Sequence, residues 1–199
     1  AAWGVAIWVQ EGADINGAIA GDSSGSSVSL SSDGSVLAIG APYNDDNGSD
    51  SGQVRVYTWS GSAWTQRGSN INGASAGDNA GSSVSLSSDG ATLAIDSPYN
   101  DDNGANSGQV RVFAWSGAAW TQRGSNINGA SAGDNAGKAV SLSSDAASLA
   151  IGAIGNDNNG TDSGNVRVFS TSEIFAPSSP SITTTTAGNQ QVGVAWSAP

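Results

Sequence analysis

The sequence predicts an all-β fold made of three tandem four-stranded units, and three observations support it. Trp8, Trp64 and Trp120 recur every 56 residues, and the stretches 64–81 and 120–137 are identical. Short β-branched runs alternate with Gly, Ser and Asp turns. No segment has the apolar spacing of an amphipathic helix. Such a period is typical of repeat proteins, in which each unit covers the apolar face of its neighbour.

Each unit opens with a predicted β-hairpin. In the first unit Val28 and Leu30 alternate with serines, and the stretch 36–39 returns as a more apolar strand. Between them, Asp33 and Gly34 predict a two-residue turn, because Asp-Gly favours the positive φ of tight hairpins. We interpret the aspartates at this position as turn residues. They are Asp33, Asp89 and Asp145.

A second hairpin completes each unit. In the first unit, residues 54–58 alternate in polarity, Ser60-Gly61 turns the chain, and residues 63–67 return. Four strands in tandem repeat are typical of a β-propeller blade, with an elongated stack of hairpins as the alternative. Three blades alone leave exposed sheet edges. We therefore expect either a homo-oligomer or additional blades to close the propeller.

The chain divides into two predicted regions. Residues 1–175 form the three-blade segment. Residues 176–199 begin with a Pro/Ser linker and continue with a Thr-rich strand and a second strand that carries Trp196. This second region resembles the start of a fibronectin type III module. Two strands cannot form a sandwich alone, so we expect this stretch to be disordered or packed on a neighbour.

One string in each unit carries a family resemblance. "GSSVSLSSDGSVLAIGAP" at 25–42 and "GQVRVY" at 52–57 resemble the FG-GAP repeat of integrin α-subunit propellers and their bacterial relatives. The resemblance implies propeller blades, an extracellular or cell-surface location, and adhesion to a cell-surface or matrix protein or glycan. Calcium-binding members hold the metal inside the first hairpin, where this chain has only "SSDGS". That loop is too short to surround an ion, so the family's metal site is not expected there.

The loop between the two hairpins is rich in Asp and Asn in all three units. Calcium takes six to eight oxygen ligands, and these side chains, with backbone carbonyls, offer many. The alternative is a solvated Asx-type turn. The second unit has Asn106 where the others have an acid. The candidate calcium ligands are Asn44, Asp45, Asp46, Asn47, Asp50, Asn100, Asp101, Asp102, Asn103, Asn156, Asp157, Asn159 and Asp162.

Four further aspartates are candidates for a ligand-binding face. Asp22, Asp78 and Asp134 each follow a Gly in a recurrent segment, where they present carboxylates or cap local amides. Asp96 stands where the sister units hold Gly40 and Gly152. A buried Asp there would have a raised pKa.

The composition of the chain limits which partners and metal ligands are expected. The chain has 17 acidic and 6 basic residues, a net charge of −11, and no Cys, Met or His. Nucleic acid is therefore an unfavourable partner, membrane insertion is not expected, and only oxygen ligands remain for a metal. We expect a bacterial adhesion or ligand-binding module. The alternatives are a calcium-dependent hydrolase that uses Asp clusters on phosphate esters or glycosides, and a structural spacer.

Overall fold

The computed structural model describes residues 7–171 and, further along the chain, the backbone of one short strand pair. Within the described residues every regular element is a β-strand. The strands form three sheets, one for each repeat, and the separate pair. The prediction of an all-β fold of blade-like repeats is confirmed. In the described part of the chain, no helix is long and apolar enough to cross a membrane.

The strands follow the 56-residue period. The first sheet contains β1 (Ser27–Leu30), β2 (Val36–Ala41), β3 (Gln53–Trp59), β4 (Trp64–Gln66) and β5 (Ile71–Asn72). The second contains β6 (Val84–Leu86), β7 (Thr92–Ser97), β8 (Gln109–Trp115), β9 (Trp120–Gln122) and β10 (Ile127–Asn128). The third contains β11 (Ala136–Leu142), β12 (Ser148–Ala153) and β13 (Asn165–Ser170).

The four predicted strands of each of the first two units pair in antiparallel order, β1-β2-β3-β4 in the first. A fifth strand, β5, was not predicted, and it extends the outer edge of β3 beside β4. The fourth strand predicted for the third unit and the boundary at residue 175 lie outside the described residues. So does most of the fibronectin-like stretch, of which only the pairing of β14 (Ser181–Ile182) with β15 (Val194–Ala195) is described.

The first hairpin turn is longer than the predicted two residues. The Ser31 backbone N–H donates to the Val36 carbonyl at 2.9 Å, so residues 32–35 lie between the strands. Asp33 stabilises this longer loop because its carboxylate accepts hydrogen bonds from the Ser31 hydroxyl and the Ser35 N–H. Those bonds hold the pKa of Asp33 at about 2. The loop is therefore built around the carboxylate.

The sheets stack face to face, and the core lies between them. Val54 and Val56 of the first sheet pack in one apolar cluster with Val84 and Leu86 of the second. Serines alternate with these apolar residues, and the Leu86 N–H donates to the Ser29 hydroxyl across the interface at 2.9 Å. The serine pattern of β1 therefore does not mark a solvent-facing side, because its hydroxyls bond the next sheet.

Candidate functional site

The loop between β2 and β3 is held by a buried network of amides. Asn44 and Gln53 are 0% and 1% exposed. The Asn44 amide donates to the Asp22 carboxylate at 3.0 Å. The Gln53 amide lies within hydrogen-bond distance of Asn44, Asp46 and Asn72, and its 2.6 Å bond to Asp46 is the shortest. Buried polar groups that are fully bonded specify one conformation, so the network fixes the loop.

The network recurs in the second unit and loses members in the third. Gln109 there bonds Asp102 at 2.7 Å, as Gln53 bonds Asp46. The third unit has Asn165 and Asn158 at these positions. The carbonyl oxygens of Gln109 and Asn165 are both buried without a hydrogen-bond partner among the described residues, so the difference lies in the amide bond to the loop acid, which Gln53 and Gln109 make. The shorter side chain has lost the reach that the network requires.

A left-handed backbone conformation explains why one position of this loop is Asp in two units and Asn in the other. Asp50, Asn106 and Asp162 all have φ near +52°, a region that Asn and Asp tolerate better than other side-chain-bearing residues. The N–H of each donates to the first aspartate of its loop at 2.7–2.8 Å. The position therefore requires a residue that tolerates this φ, and its charge is secondary.

The loops also bind the unit that follows. The Asn47 amide donates to the Gly73 and Ala74 carbonyls, and Asn103 makes the same contacts with Gly129 and Ala130. The acids Asp45 and Asp46 remain exposed. We call the three loops, residues 44–52, 100–108 and 156–164, the acidic ridge, since each occupies the same connection of successive sheets.

The acidic ridge offers few side-chain ligands to a single cation. Across residues 7–171, no group of three or more acidic side chains is placed to share one metal ion. One oxygen of Asp45 accepts the Asp50 N–H, and one of Asp46 accepts the Gln53 amide of β3. Calcium would therefore need backbone carbonyls and water in addition to the remaining carboxylate oxygens. Calcium binding stays a prediction.

The aspartates of the recurrent Gly-Asp segment are buried. Asp22, Asp78 and Asp134 are 3–5% exposed. Each accepts a backbone N–H three residues earlier, at 3.0–3.2 Å, and the amide of the following loop. Burial raises the pKa of Asp78, while its hydrogen bonds with Asn100 and Ser75 act in the opposite direction. These carboxylates anchor the acidic ridge from beneath.

Asp96 lies at the interface of the second and third sheets and is fully buried. One carboxylate oxygen accepts the Ser83 N–H at 2.8 Å, and the other has no hydrogen-bond partner among the described residues. Burial raises the pKa of Asp96 to about 8, although the Ser83 N–H and the charge of Lys138 counteract it. Asp96 is therefore a neutral acid near pH 7 and belongs to the packed interface.

Two tryptophan pairs cover the outer part of the sheets. Trp59 and Trp64 lie opposite each other with ring centroids 5.3 Å apart, and Trp115 and Trp120 repeat the pair at 5.5 Å. The Trp120 indole N–H donates to the Arg67 carbonyl at 3.0 Å. Cross-strand packing therefore accounts for these rings.

Two sets of structural residues were not anticipated. Gln53 and Gln109 organise the loops, and their only signal is a Gln that recurs after Ser-Gly. The recurrent arginines at 55, 111 and 167 are the second set. Each donates to a backbone carbonyl of the preceding segment at 2.7–2.9 Å, and a backbone acceptor leaves no signal in the sequence.

The comparison with family profiles agrees with the repeat prediction. The profile of the FG-GAP repeat family matches residues 16–57 and 128–169. FG-GAP repeats are therefore present at two places, and neither match includes residues 176–199. No curated protein matches the chain. Hydrazine synthase of Kuenenia stuttgartiensis is similar in structure, with a TM-score of 0.48 and 16% identity over 78% of this chain. The match spans 36% of that protein's chain.

Proposed function

We propose that the chain is an extracellular β-propeller-type module of a bacterial surface or secreted protein, and that the acidic ridge binds a cell-surface or matrix protein or glycan. The observation that carries the proposal is the repetition of one rigid loop, with exposed carboxylates, at the same connection of three stacked sheets. A preformed surface of this kind binds without a large ordering cost. The fibronectin-like stretch at 176–199 would be a second extracellular module of the same protein.

The test is binding to glycan arrays and to immobilised matrix proteins. The triple variant Asp45→Asn, Asp101→Asn, Asp157→Asn removes three charges from the ridge, yet it keeps the side-chain oxygen that accepts the loop N–H. The triple variant Asp33→Asn, Asp89→Asn, Asp145→Asn removes the same charge from the hairpin turns at the other end of the sheets and serves as control. Loss of binding in the first variant alone supports the proposal. Equal loss in both contradicts it.

Calcium is the cation that we propose for the ridge. Its support is the set of exposed Asp and Asn oxygens and the net charge of −11. With few carboxylates per ion we expect dissociation constants of about 10⁻⁴ to 10⁻³ M. The melting temperature of chelator-treated protein should therefore rise as millimolar calcium is added. The ridge triple variant should reduce this rise, and a rise unchanged in that variant would place the ion elsewhere.

We also propose that the module associates head to tail with a second copy, and the open faces support this. Val54 and Val56 are at most 1% exposed, whereas their equivalents in the last sheet, Val166 and Val168, are each 69% exposed. On the first sheet, the equivalents of buried Val84 and Leu86 are also open. They are Val28 at 62% and Leu30 at 56%. The two open faces are thus the two sides of an interface that the chain already forms twice.

Backbone hydrogen bonds give this contact a direction. The Ser32 N–H donates to the Ser88 carbonyl at 2.9 Å, and the Ser88 N–H donates to the Ser144 carbonyl at 2.9 Å. The series ends in a donor at Ser144 and an acceptor at Ser32. The last sheet of one copy and the first sheet of another therefore complement each other, which defines a heterologous interface.

Sedimentation of three variants tests the association. Val28→Glu with Leu30→Glu disables the first face, Val166→Glu with Val168→Glu disables the last, and Ser62→Glu with Ala118→Glu adds the same charge on exposed outer turns. Each face variant alone should sediment as a 19.6 kDa monomer, and their mixture should form a dimer through the one intact pair of faces. A monomeric wild-type chain, or a mixture that stays monomeric, would overturn the proposal. Salt should strengthen association, because it screens the repulsion between acidic copies.

A further inference from the structure

The interface between the second and third sheets contains two charged residues that are absent from the equivalent positions of the first interface. Asp96 stands where the other units have Gly40 and Gly152, and Lys138, the one lysine of the chain, stands where the second unit has Ser82. One oxygen of the buried Asp96 carboxylate has no hydrogen-bond partner among the described residues, and the charge of Lys138 acts on this group. Two substitutions of opposite charge that meet at one interface indicate a shared role.

The backbone that carries Lys138 forms a bulge in β11. The register with β12 shifts between Ala136 and Ala139, so Gly137 and Lys138 have no partner in β12. A Cβ built on Gly137 would lie 2.9 Å from the Asp96 Cβ, so the bulge packs directly against Asp96. Because a bulge interrupts the hydrogen-bond ladder, this segment can shift without breaking the sheet.

The Lys138 side chain is held by Tyr99. Its Nζ donates to the Tyr99 hydroxyl at 3.0 Å and lies 4.4 Å from the centroid of the ring. Tyr43 is the equivalent tyrosine of the first unit, and the residue that corresponds to Lys138 there is Ser82. Tyr43 is 51% exposed, against 37% for Tyr99. Lys138 therefore covers the Tyr99 ring, and its ammonium is not in contact with the Asp96 carboxylate.

The groups around Asp96 give an ionised carboxylate one possible counter-charge. The Ser83 N–H donates to one oxygen, and β8 places the apolar Val110 opposite Asp96. Arg111 is the next residue of β8 and lies on the other face of the sheet, because successive side chains of a strand alternate. From β11 the charged side chain is Lys138. A buried carboxylate without a counter-charge is unfavourable, so ionisation of Asp96 favours a position of the Lys138 ammonium nearer to it.

We propose that Asp96, Lys138 and Tyr99 form a proton-operated switch. While Asp96 is protonated, the Lys138 ammonium lies on the Tyr99 ring. When Asp96 releases its proton to water, the ammonium leaves the ring and pairs with the carboxylate, and the bulge of β11 moves with it. A charge change of this kind acts as a switch when it selects between two discrete arrangements.

The switch reaches the acidic ridge through Tyr99. This residue directly precedes the ridge loop 100–108, so the loss of its lysine uncovers an aromatic ring at the edge of the ridge. An effect of pH on ligand binding by the ridge rests on the proposed function. The switch itself does not, because it is measured on the free chain.

Nuclear magnetic resonance of the tyrosine rings tests the switch on the full chain. The chain has three tyrosines, so selective labelling gives few ring signals, and Tyr99→Phe assigns the relevant one. Burial raises the pKa of Asp96 to about 8, so the Tyr99 ring should show one transition between about pH 6 and pH 9. Dipolar contacts between the ring and the Lys138 side chain should be lost across it. Tyr43 should show no transition. A Tyr99 ring without a transition, or the same transition at Tyr43, would overturn the proposal.

Three variants assign the transition to the pair. Asp96→Asn and Asp96→Gly, the second of which introduces the residue of the sister units, remove the titrating group and should abolish the Tyr99 transition. Lys138→Gln should strongly reduce it, while the carboxyl carbon of Asp96 should still titrate, at higher pH because a favourable positive charge is lost. The matched control is Arg123→Gln, which removes an exposed positive charge from the second unit and should leave the transition unchanged. A transition of wild-type size in either Asp96 variant or in Lys138→Gln would overturn the proposal.

Discussion

The interface between the first and second sheets and the interface between the second and third are built from nearly the same sequence, yet they differ in two places. In the first interface Gly40 packs against the Gly81 carbonyl and a tryptophan pair fills the outer edge. In the second, Asp96 replaces the glycine, and Arg123 and Gly124 are exposed where Arg67 and Gly68 are half-buried. Whether a repeat tolerates a substitution therefore depends on the residues that the adjacent sheet places opposite it.

The largest contrast should come from one substitution made in two units. Val54→Asp places a carboxylate in the closed interface, so it should lower the free energy of unfolding by more than about 4 kcal/mol. Val166→Asp, at the equivalent but exposed position, should change it by less than about 0.5 kcal/mol in dilute protein. Urea unfolding followed by circular dichroism measures both. Similar losses would show that the last face is covered in solution.

The second contrast concerns the glycines of β2 and β12. A Cβ on Gly40 would lie 1.9 Å from the Gly81 carbonyl oxygen, whereas the nearest atom to a Cβ on Gly152 is 3.5 Å away. Gly40→Ala should therefore cost about 3 kcal/mol, and Gly152→Ala should stay within about 0.5 kcal/mol of wild type. Thermal unfolding of the pair measures the difference, and a tolerated Gly40→Ala would mean that the first two sheets lie farther apart.

The third contrast is a pH dependence that belongs to the second interface. Because burial raises the pKa of Asp96 to about 8, the folded state holds a proton that the unfolded chain releases near pH 4. The stability that this protonation contributes is complete below about pH 4 and is lost as pH rises towards 8, by at most about 1.4 kcal/mol per pH unit. Asp96→Asn should flatten this decline in a series of melting temperatures.

Asp33→Asn is the matched control for the pH series. The pKa of Asp33 is lowered to about 2, so its contribution is present above about pH 4 and is lost as pH falls towards 2. This variant should change the acid end of the series and leave the slope between pH 4 and 8 as in wild type. An Asp96→Asn protein with the wild-type slope would refute a buried, protonated Asp96.

The smallest contrast is a single hydrogen bond of the tryptophan pairs. Trp120→Phe removes the donor to the Arg67 carbonyl and should cost about 1 kcal/mol. Trp64→Phe removes the corresponding 3.2 Å bond to the Glu11 carbonyl, which is exposed, so water can replace it at lower cost. Equal losses in chemical unfolding would mean that ring packing alone determines the effect.

Much of the fold was predictable because strand signals repeat three times. The alternation at Val28 and Leu30 and the apolar run of β2 mark strands wherever they recur, so four strands per unit follow from pattern alone. β5 was missed because two residues carry no periodicity. The two-residue turn was wrong because the Ser31 and Ser35 bonds to Asp33, which favour the longer loop, are side-chain contacts that Asp-Gly propensity does not include.

The candidate site was predictable in position and less so in chemistry. The recurrence of Asp45, Asp101 and Asp157 marks the loops, yet sequence left calcium ligation and an Asx turn open. Gln53 is 1% exposed. Its role depends on three acceptors from two segments, Asn44 and Asp46 of the loop and Asn72 of β5. Such convergence has no local signature, because its members are brought together only when the sheets stack.

The sequence by itself determined the number of repeats, the all-β class and the place of the polar loops, since these depend on local periodicity and turn residues. Only the tertiary structure decided which valines are buried, that Asp96 lies in a closed interface, and that Gln53 reaches the loop and β5 at once. Each of these depends on the surface opposite the residue. Identical residues in tandem units face different residues on the adjacent sheet. Burial and hydrogen bonding depend on both the residue and the surface that faces it.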